Sequence, residues 1–283
     1  MRRALDRAFT FGATTFAALA VGVIVLIVSA IVWRGASAIS WEFFTEQMQL
    51  VGAAGGIFYN ILGTLILLLT ALLFSLPLAT GIALVQSVYL RNPRTRERLW
   101  LGLSVLNGIP SILFGLFGLI VFVKFLGWGK SWLTGGLLLG IMMLPTVAVA
   151  LIERIQAMPR KYVEAAKGLG LREPQIIWSV ILPQCSGGLV TGALLGLARA
   201  AGETAPIMFT ATIFAGATLP QGIKESPVLT LPYHIFVLAQ DSFDPAVSAK
   251  VWGAALVLLG LVMSLSLAAL PARLRMHEEA HHG

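Results

Sequence analysis

Arg199 and Glu203 stand four residues apart in an apolar run that extends from about position 176 to 215. On a helix that spacing lets the two side chains pair. A charge near the centre of a bilayer costs several kcal/mol, so both residues must face a partner or a watery cavity and not lipid. Two chemistries remain open for them. One is a structural ion pair that neutralises itself; the other is a pathway in which Arg199 supplies positive charge to a divalent oxyanion while Glu203 keeps binding weak enough for release.

A second constellation lies outside the apolar runs, between Met158 and Pro183. Pro159 suits the first position of a helix, and Tyr162, Ala165, Ala166 and Leu169 recur at i, i+3, i+4 and i+7, opposite Lys161, Glu164 and Lys167. The pattern predicts a short amphipathic helix ended by Gly168 or Gly170, with Pro174 unable to continue it. Its small alanines would let another protein approach the backbone, with Glu164 offered to a basic or capped partner; an interfacial anchor helix has the same pattern.

Other candidates carry less. Gly129-Lys130-Ser131 ends like a phosphate-binding loop, but Lys124 stands where the required first glycine should be, so no ATP site is expected. The tail His277-Glu278-Glu279-Ala280-His281-His282 reads as a solvated end and not a metal site. Cys185, the one cysteine, excludes an internal disulfide and reads as a small core residue. No catalytic residues and no metal ligands are assigned.

The elements that must position these residues are set by composition. The 283 residues are 57% hydrophobic and 12% charged, with a mean hydropathy of +0.86, where a water-soluble domain has roughly a quarter of its residues charged. An integral membrane protein follows, and an ordinary soluble enzyme is excluded. Six apolar stretches meet or approach the length of about 20 residues that a spanning helix needs: roughly 9–33, 57–90, 99–123, 132–152, 176–215 and 251–271. The second and fifth exceed one bilayer thickness and contain Pro77 and Pro206, so each must tilt, kink or leave an interfacial segment. The runs lack the alternation of barrel strands, and the fold class is all-α. The first run, followed by Ala36-Ser37-Ala38, imitates a signal peptide, but it is too long for one and is read as a retained helix.

Basic residues fix the orientation. One side holds Arg2, Arg3 and Arg7, then Arg91, Arg94, Arg96 and Arg98, then Arg154, Arg160, Lys161, Lys167 and Arg172, then Arg273 and Arg275. The other holds only Arg34, Lys124, Lys130, Lys224 and Lys250. Both termini are therefore expected in the cytoplasm. The net charge of +7 belongs to that asymmetry; basic residues split among four juxtamembrane clusters suit anionic lipid headgroups and give no reason to expect nucleic acid.

Glu164-Ala165-Ala166, three residues, Gly170, nine residues and then Val180-Ile181-Leu182-Pro183 resembles the EAA loop of binding-protein-dependent ABC importer permeases. The one departure is Val180 where that family usually has isoleucine, a one-methylene change. The resemblance implies the six-helix type I (MetI-like) permease fold, and a coupling helix at about 159–170 whose Glu164, Ala165, Ala166, Gly170 and Pro183 belong to the contact with a separate ATPase. Two further segments, Gly108-Ile109-Pro110-Ser111-Ile112-Leu113-Phe114-Gly115-Leu116-Phe117-Gly118 and Arg199-Ala200-Ala201-Gly202-Glu203-Thr204-Ala205-Pro206, resemble signatures of the phosphate-specific branch. Thr230-Leu231-Pro232 and the final helix from Trp252-Gly253-Ala254 resemble its A subunit (PstA-like) more than its C subunit.

The resemblance thus implies a permease subunit for inorganic phosphate in a bacterial inner membrane, with Arg199, Glu203 and Thr204 along the substrate pathway. It implies a second homologous permease subunit, a cytoplasmic ABC ATPase dimer that binds ATP and Mg, and an external phosphate-binding protein, with no cofactor in this chain. Residues 1–56 then form a first helix and external loop, 57–275 the permease core and 276–283 a cytoplasmic tail. Gly188, Gly192 and Gly196 make a smooth stripe for close helix packing, either within the chain or against the second subunit. The alternatives are a permease for another oxyanion such as molybdate or phosphonate, a self-contained secondary transporter, which should carry broken helices and more intramembrane charge, and a non-transporting scaffold.

Overall fold

A computed structural model describes residues 2–49, 52, 54–216, 219–241 and 244–281. The side chains of Arg2, Arg3, Arg7, Arg273 and Arg275, and of the tail residues His277, Glu278, Glu279, His281 and His282, lie outside the described residues. The helices are α1 (Arg2–Gly35), α2 (Trp41–Thr45), α3 (Phe58–Leu84), α4 (Pro93–Gly108), α5 (Ser111–Gly118), α6 (Trp132–Ala157), α7 (Arg160–Gly168), α8 (Glu173–Ile176), α9 (Leu182–Ala201), α10 (Ala205–Thr210), α11 (Leu231–Leu238) and α12 (Pro245–His281). Wider π turns extend α3 over Val85–Tyr89 and α5 over Leu119–Phe125, and join α8 to α9 over Ile177–Ile181. Among the described residues five helical stretches are long and apolar enough to cross a membrane, and the bent pair Pro93–Gly108 with Ser111–Phe125 makes a sixth if taken as one span.

That bent pair is where the structure departs most from the continuous third span expected at 99–123. The chain turns by 90° between α4 and α5. Pro110 has no N–H to donate and its ring excludes helical geometry from the residue before it, and Ile109 is accordingly extended at ψ 129°. The fifth run also divides. The α9 helix stops at Ala201, and Pro206 lies in the first turn of the separate helix α10, where its missing N–H costs nothing. Pro77, by contrast, is carried inside α3.

The chain forms two units. One comprises Met1–Ile57 with Leu238–Val257, so that the start of the last helix is grouped with the first helix and its loop. Here Phe43 of α2 is fully buried and Gly253 of α12 lies against it; the Lys250 ammonium donates to the Gly55 carbonyl at 2.5 Å and sits 5.2 Å over the Phe43 ring. A two-stranded hairpin pairs β1 (Met48–Gln49) with β2 (Ala54–Gly55), Met48 opposite Gly55.

The other unit comprises Phe58–Val237 and Leu258–Gly283. Its centre is α6, whose Leu138, Val147, Ala148, Leu151 and Ile152 are fully buried between α3 and α9. Small residues bring these helices together. A Cβ on Gly136 would lie 2.5 Å from that of Thr70 on α3, and one on Gly192 2.9 Å from that of Ala150. Between apolar helices in lipid, such close approach supplies dispersion contacts in place of a hydrophobic driving force. The glycine stripe on α9 is therefore an internal contact: Gly188 faces Arg154, Gly192 faces Val147 and Ala150, and Gly196 faces Met143, all on α6.

The Thr230-Leu231-Pro232 segment docks on α3. Thr64 Oγ1 accepts from the Leu231 N–H at 2.9 Å, the Val228 N–H donates to the Ala211 carbonyl at 3.0 Å, and Gly63 meets the Leu229 carbonyl. The Gly129-Lys130-Ser131 turn has a structural part as well. Ser131 Oγ caps α6 by accepting from the Thr134 N–H, and the Lys130 ammonium donates to the Met208 carbonyl at 2.9 Å, a cation at the carbonyl end of α10.

Candidate functional site

Arg199 occupies the last turn of α9, where a cation complements the helix's exposed carbonyls. The helix ends before Glu203, which lies on the short α9–α10 link with its N–H donated to the Ala200 carbonyl at 3.2 Å. The two side chains come within 3.9 Å, Arg199 Nε to Glu203 Oε1, a loose pair and not the close one that an unbroken helix would favour. A nearer partner comes from the other broken span. Arg199 Nη1 donates to Asn107 Oδ1 at 2.5 Å, and Asn107 sits one residue before the end of α4.

The two breaks are thus tied together. Gly115 of α5 faces the Ala205 carbonyl and Phe209 of α10, and Gly118 faces Thr210, so side chains at those positions would push α5 off α10. Thr204 caps α10 with its backbone, accepting from the Met208 N–H at 3.0 Å. The Arg199 side chain keeps 39% of its surface exposed and that of Glu203 18%, and a cavity of about 360 Å³ borders Asn107, Ser104, Thr146 and Glu153. A guanidinium held by one neutral and one anionic partner, with donors left over, can bind an oxyanion and let it go. Asn107 is the member of this group that the sequence reading missed. Its signal was present: a carboxamide inside an apolar run, three residues before a proline.

The second set of residues lies on α7. Helix formation begins after Pro159, which is the cap and not the first helical residue as its ring geometry suggested. At the other end the Gly170 N–H donates to the Lys167 carbonyl at 2.9 Å and the Leu171 N–H to the Ala166 carbonyl at 3.2 Å. This is a Schellman closure, with Gly170 at φ +77° in the left-handed region that favours glycine. Gly168, the other candidate for that role, is the last residue of the helix.

The apolar stripe on α7 does not all turn inward. Ala166 is buried, and Val163 packs against the core. Tyr162 is 42% exposed and Leu169 82%, with Glu164 and Ala165 exposed beside them. Pro183 lies in the first turn of α9, its carbonyl accepting from Ser186 Oγ at 2.8 Å. The α7 helix therefore has one face committed to the protein and a second face, partly apolar, that no described residue covers.

A polytopic helical unit, two broken helices joined through a polar contact between Arg199 and Asn107, and a short helix standing off the end of the bundle define a membrane transport subunit. The chain belongs to the family of binding-protein-dependent transport system inner membrane components, whose model matches residues 75–276. It is 29% identical over 264 residues to the probable ABC transporter permease protein YqgI of Bacillus subtilis, covering 89% of this chain and 90% of that one. It is 32% identical over 244 residues to the phosphate transport system permease protein PstA 2 of Mycobacterium bovis, covering 83% and 79%. To the probable phosphate transport system permease protein PstA of Methanocaldococcus jannaschii it is 32% identical over 270 residues, covering 94% and 92%. Among solved structures, a chain of the MetNI methionine ABC transporter in an inward-facing conformation superposes with a TM-score of 0.58 at 18% identity, covering 76% of this chain and 93% of that one. That last likeness concerns the fold alone. This chain is an ABC importer permease subunit and a multi-pass inner membrane protein.

Proposed function

We propose that the chain forms part of the membrane pathway of an ATP-driven importer for inorganic phosphate. A second homologous permease completes the pathway, a cytoplasmic ATPase pair that binds ATP and Mg docks on α7, and an external binding protein delivers the anion. The observation that carries the coupling half of this reading is the uncovered face of α7, where Tyr162, Ala165 and Leu169 are exposed beside Glu164. Such a face, on a helix ended by a fixed Schellman turn, suits a cleft in a partner that opens and closes. ATP binding and hydrolysis would then bias inward and outward states, with Arg199 and Glu203 serving the anion between them.

The choice of phosphate is supported by the names of the relatives and by the partly exposed guanidinium of Arg199. Another tetrahedral oxyanion would meet the same charge, so competition decides it. Broken helices are also what a self-contained secondary transporter was expected to carry; family membership favours the ATP-driven reading over that one. The test is uptake of radiolabelled phosphate into vesicles holding this chain and its co-purifying partners, with arsenate, sulfate and molybdate as competitors. Phosphate uptake should need ATP and the ATPase, and arsenate should compete best. Full-rate uptake without the ATPase would overturn the coupling, and preferential competition by molybdate or sulfate would overturn the substrate.

A further inference from the structure

At the end of the bundle that carries α7 there is a cavity of about 530 Å³, walled by the α3–α4 corner, the end of α6, α7 and the start of the α8–α9 stretch. That volume is typical of a small-molecule site. Its lining is mixed, and the charged groups on it are uneven. Arg91 and Arg96 come from the α3–α4 corner and Arg160 and Lys167 from α7, against Glu164 and Glu173.

The four cations are not equivalent. Arg96 is already committed, its Nε donating to the Gln86 carbonyl and its Nη2 to the Ser87 carbonyl, both at 2.9 Å, which fixes the corner. The side chains of Arg91, Arg160 and Lys167 have no hydrogen bond or ion pair among the described residues, and neither carboxylate comes within ion-pair distance of any of them. Ser87 also lines the cavity, and its Oγ is buried without a hydrogen-bond partner. A buried hydroxyl with no partner costs free energy, and three like charges brought to one cavity from separate elements, without a counter-charge at ion-pair distance, favour an anion between them. One ligand chemistry answers both: an oxyanion that accepts from the hydroxyl and lies among the cations.

We propose that this cavity binds a phosphoryl anion, either free inorganic phosphate or the headgroup of an anionic lipid, which joins α7 to the α3–α4 corner. Binding in itself is independent of the transport reading; the consequence rests on it. If α7 is the element that receives the ATPase, then an anion bridging Arg91 to Arg160 and Lys167 stiffens it against the bundle and regulates coupling from the cytoplasmic side.

Amide hydrogen exchange of the peptide spanning 159–171, in the assembled complex, reads this directly. The complex is placed in phosphatidylcholine vesicles with and without inorganic phosphate, and in vesicles that also contain phosphatidylglycerol. At a ligand level ten times the dissociation constant, exchange through openings that break the site slows about tenfold. Slowing by phosphate in neutral vesicles identifies the free anion, and slowing by phosphatidylglycerol alone identifies the headgroup; either supports the site. The triple variant R91Q/R160Q/K167Q should lose the response. R91Q alone should lose most of it, and decides the matter if the triple variant does not assemble, because Arg91 lies outside every helix. R199Q should keep it, which separates this cavity from the transport pathway.

Exchange unaltered by both anions overturns the proposal, as does a full response in R91Q, a response lost in R199Q, or protection that follows the ATPase alone and so gives the cavity to a protein partner. Failure of phosphate uptake would leave these outcomes unchanged, so the two readings fail separately.

Discussion

Arg199 has two partners of unequal quality, and the better one is the less obvious. The Asn107 contact at 2.5 Å is a charge-assisted hydrogen bond, whereas the Glu203 contact at 3.9 Å is Coulombic attraction across a gap. With 39% of its side chain exposed, the guanidinium gains little from the looser pair, since solvent screening reduces such contacts to a small fraction of their isolated strength. Asn107→Ala should therefore disturb Arg199 more than Glu203→Gln does. Hydrogen bonds to charged groups contribute about 1.5–3 kcal/mol, and the lower end suits this exposure. Phosphate uptake should fall about tenfold in N107A with assembly of the complex unchanged; equal uptake in N107A and wild type would show that Asn107 does not position the guanidinium. Elsewhere in the molecule burial acts alone: His234 is 3% exposed, stacked against Phe214, and burial pushes its imidazole down to about 4, so it stays neutral at physiological pH.

At the scale of elements, α9 and α7 fail in different ways when their glycines are changed. A side chain at position 192 would meet Ala150 Cβ at 2.9 Å and the Val147 backbone at 3.1 Å, neither of which can rotate away. Overpacking of this kind costs about 1–3 kcal/mol. Gly192→Val should therefore lower the thermal midpoint of the purified subunit, and an unaltered midpoint would mean that α9 slides on α6 without penalty. Gly170 is the opposite case, with nothing within 4 Å of an added Cβ but a φ of +77°. Gly170→Val strains one turn of backbone outside the bundle, so the midpoint should hardly move. What should change is the ratio of phosphate imported to ATP hydrolysed, because the end of α7 loses its fixed geometry; an unchanged ratio in G170V would remove Gly170 from the coupling contact.

At the scale of the whole molecule, the apolar runs say only that the chain crosses, and its orientation is an expectation that rests on charge asymmetry. The basic clusters flanking Arg91 and Arg160 lie on one side of the expected topology and Arg34, Lys130 and Lys250 on the other. The chain has one natural cysteine, Cys185, which is fully buried, so a reporter thiol can be placed cleanly. In a Cys185→Ser background, Gly283→Cys should react with an impermeant maleimide only after the membrane is opened. Labelling of intact cells would put the carboxyl terminus outside and invert the orientation read from the basic residues.

The class of fold, the apolar runs long enough to cross a membrane and the place of the short helix α7 were legible in the chain because they depend on local quantities: hydropathy summed over about 20 residues, a 3.6-residue period, and a glycine that alone accepts a left-handed turn. Even Leu169 belonged to a legible stripe. That it lies outward while Ala166 of the same stripe lies inward was decided by what the bundle had room to cover. Whether Gly188, Gly192 and Gly196 serve this chain or a neighbour, and whether Arg199 is held by Glu203 or Asn107, depended on contacts between residues tens of positions apart. Such contacts follow from the packing of α6 against α9 and from the two helix breaks meeting, and no pattern along one helix encodes the partner on another.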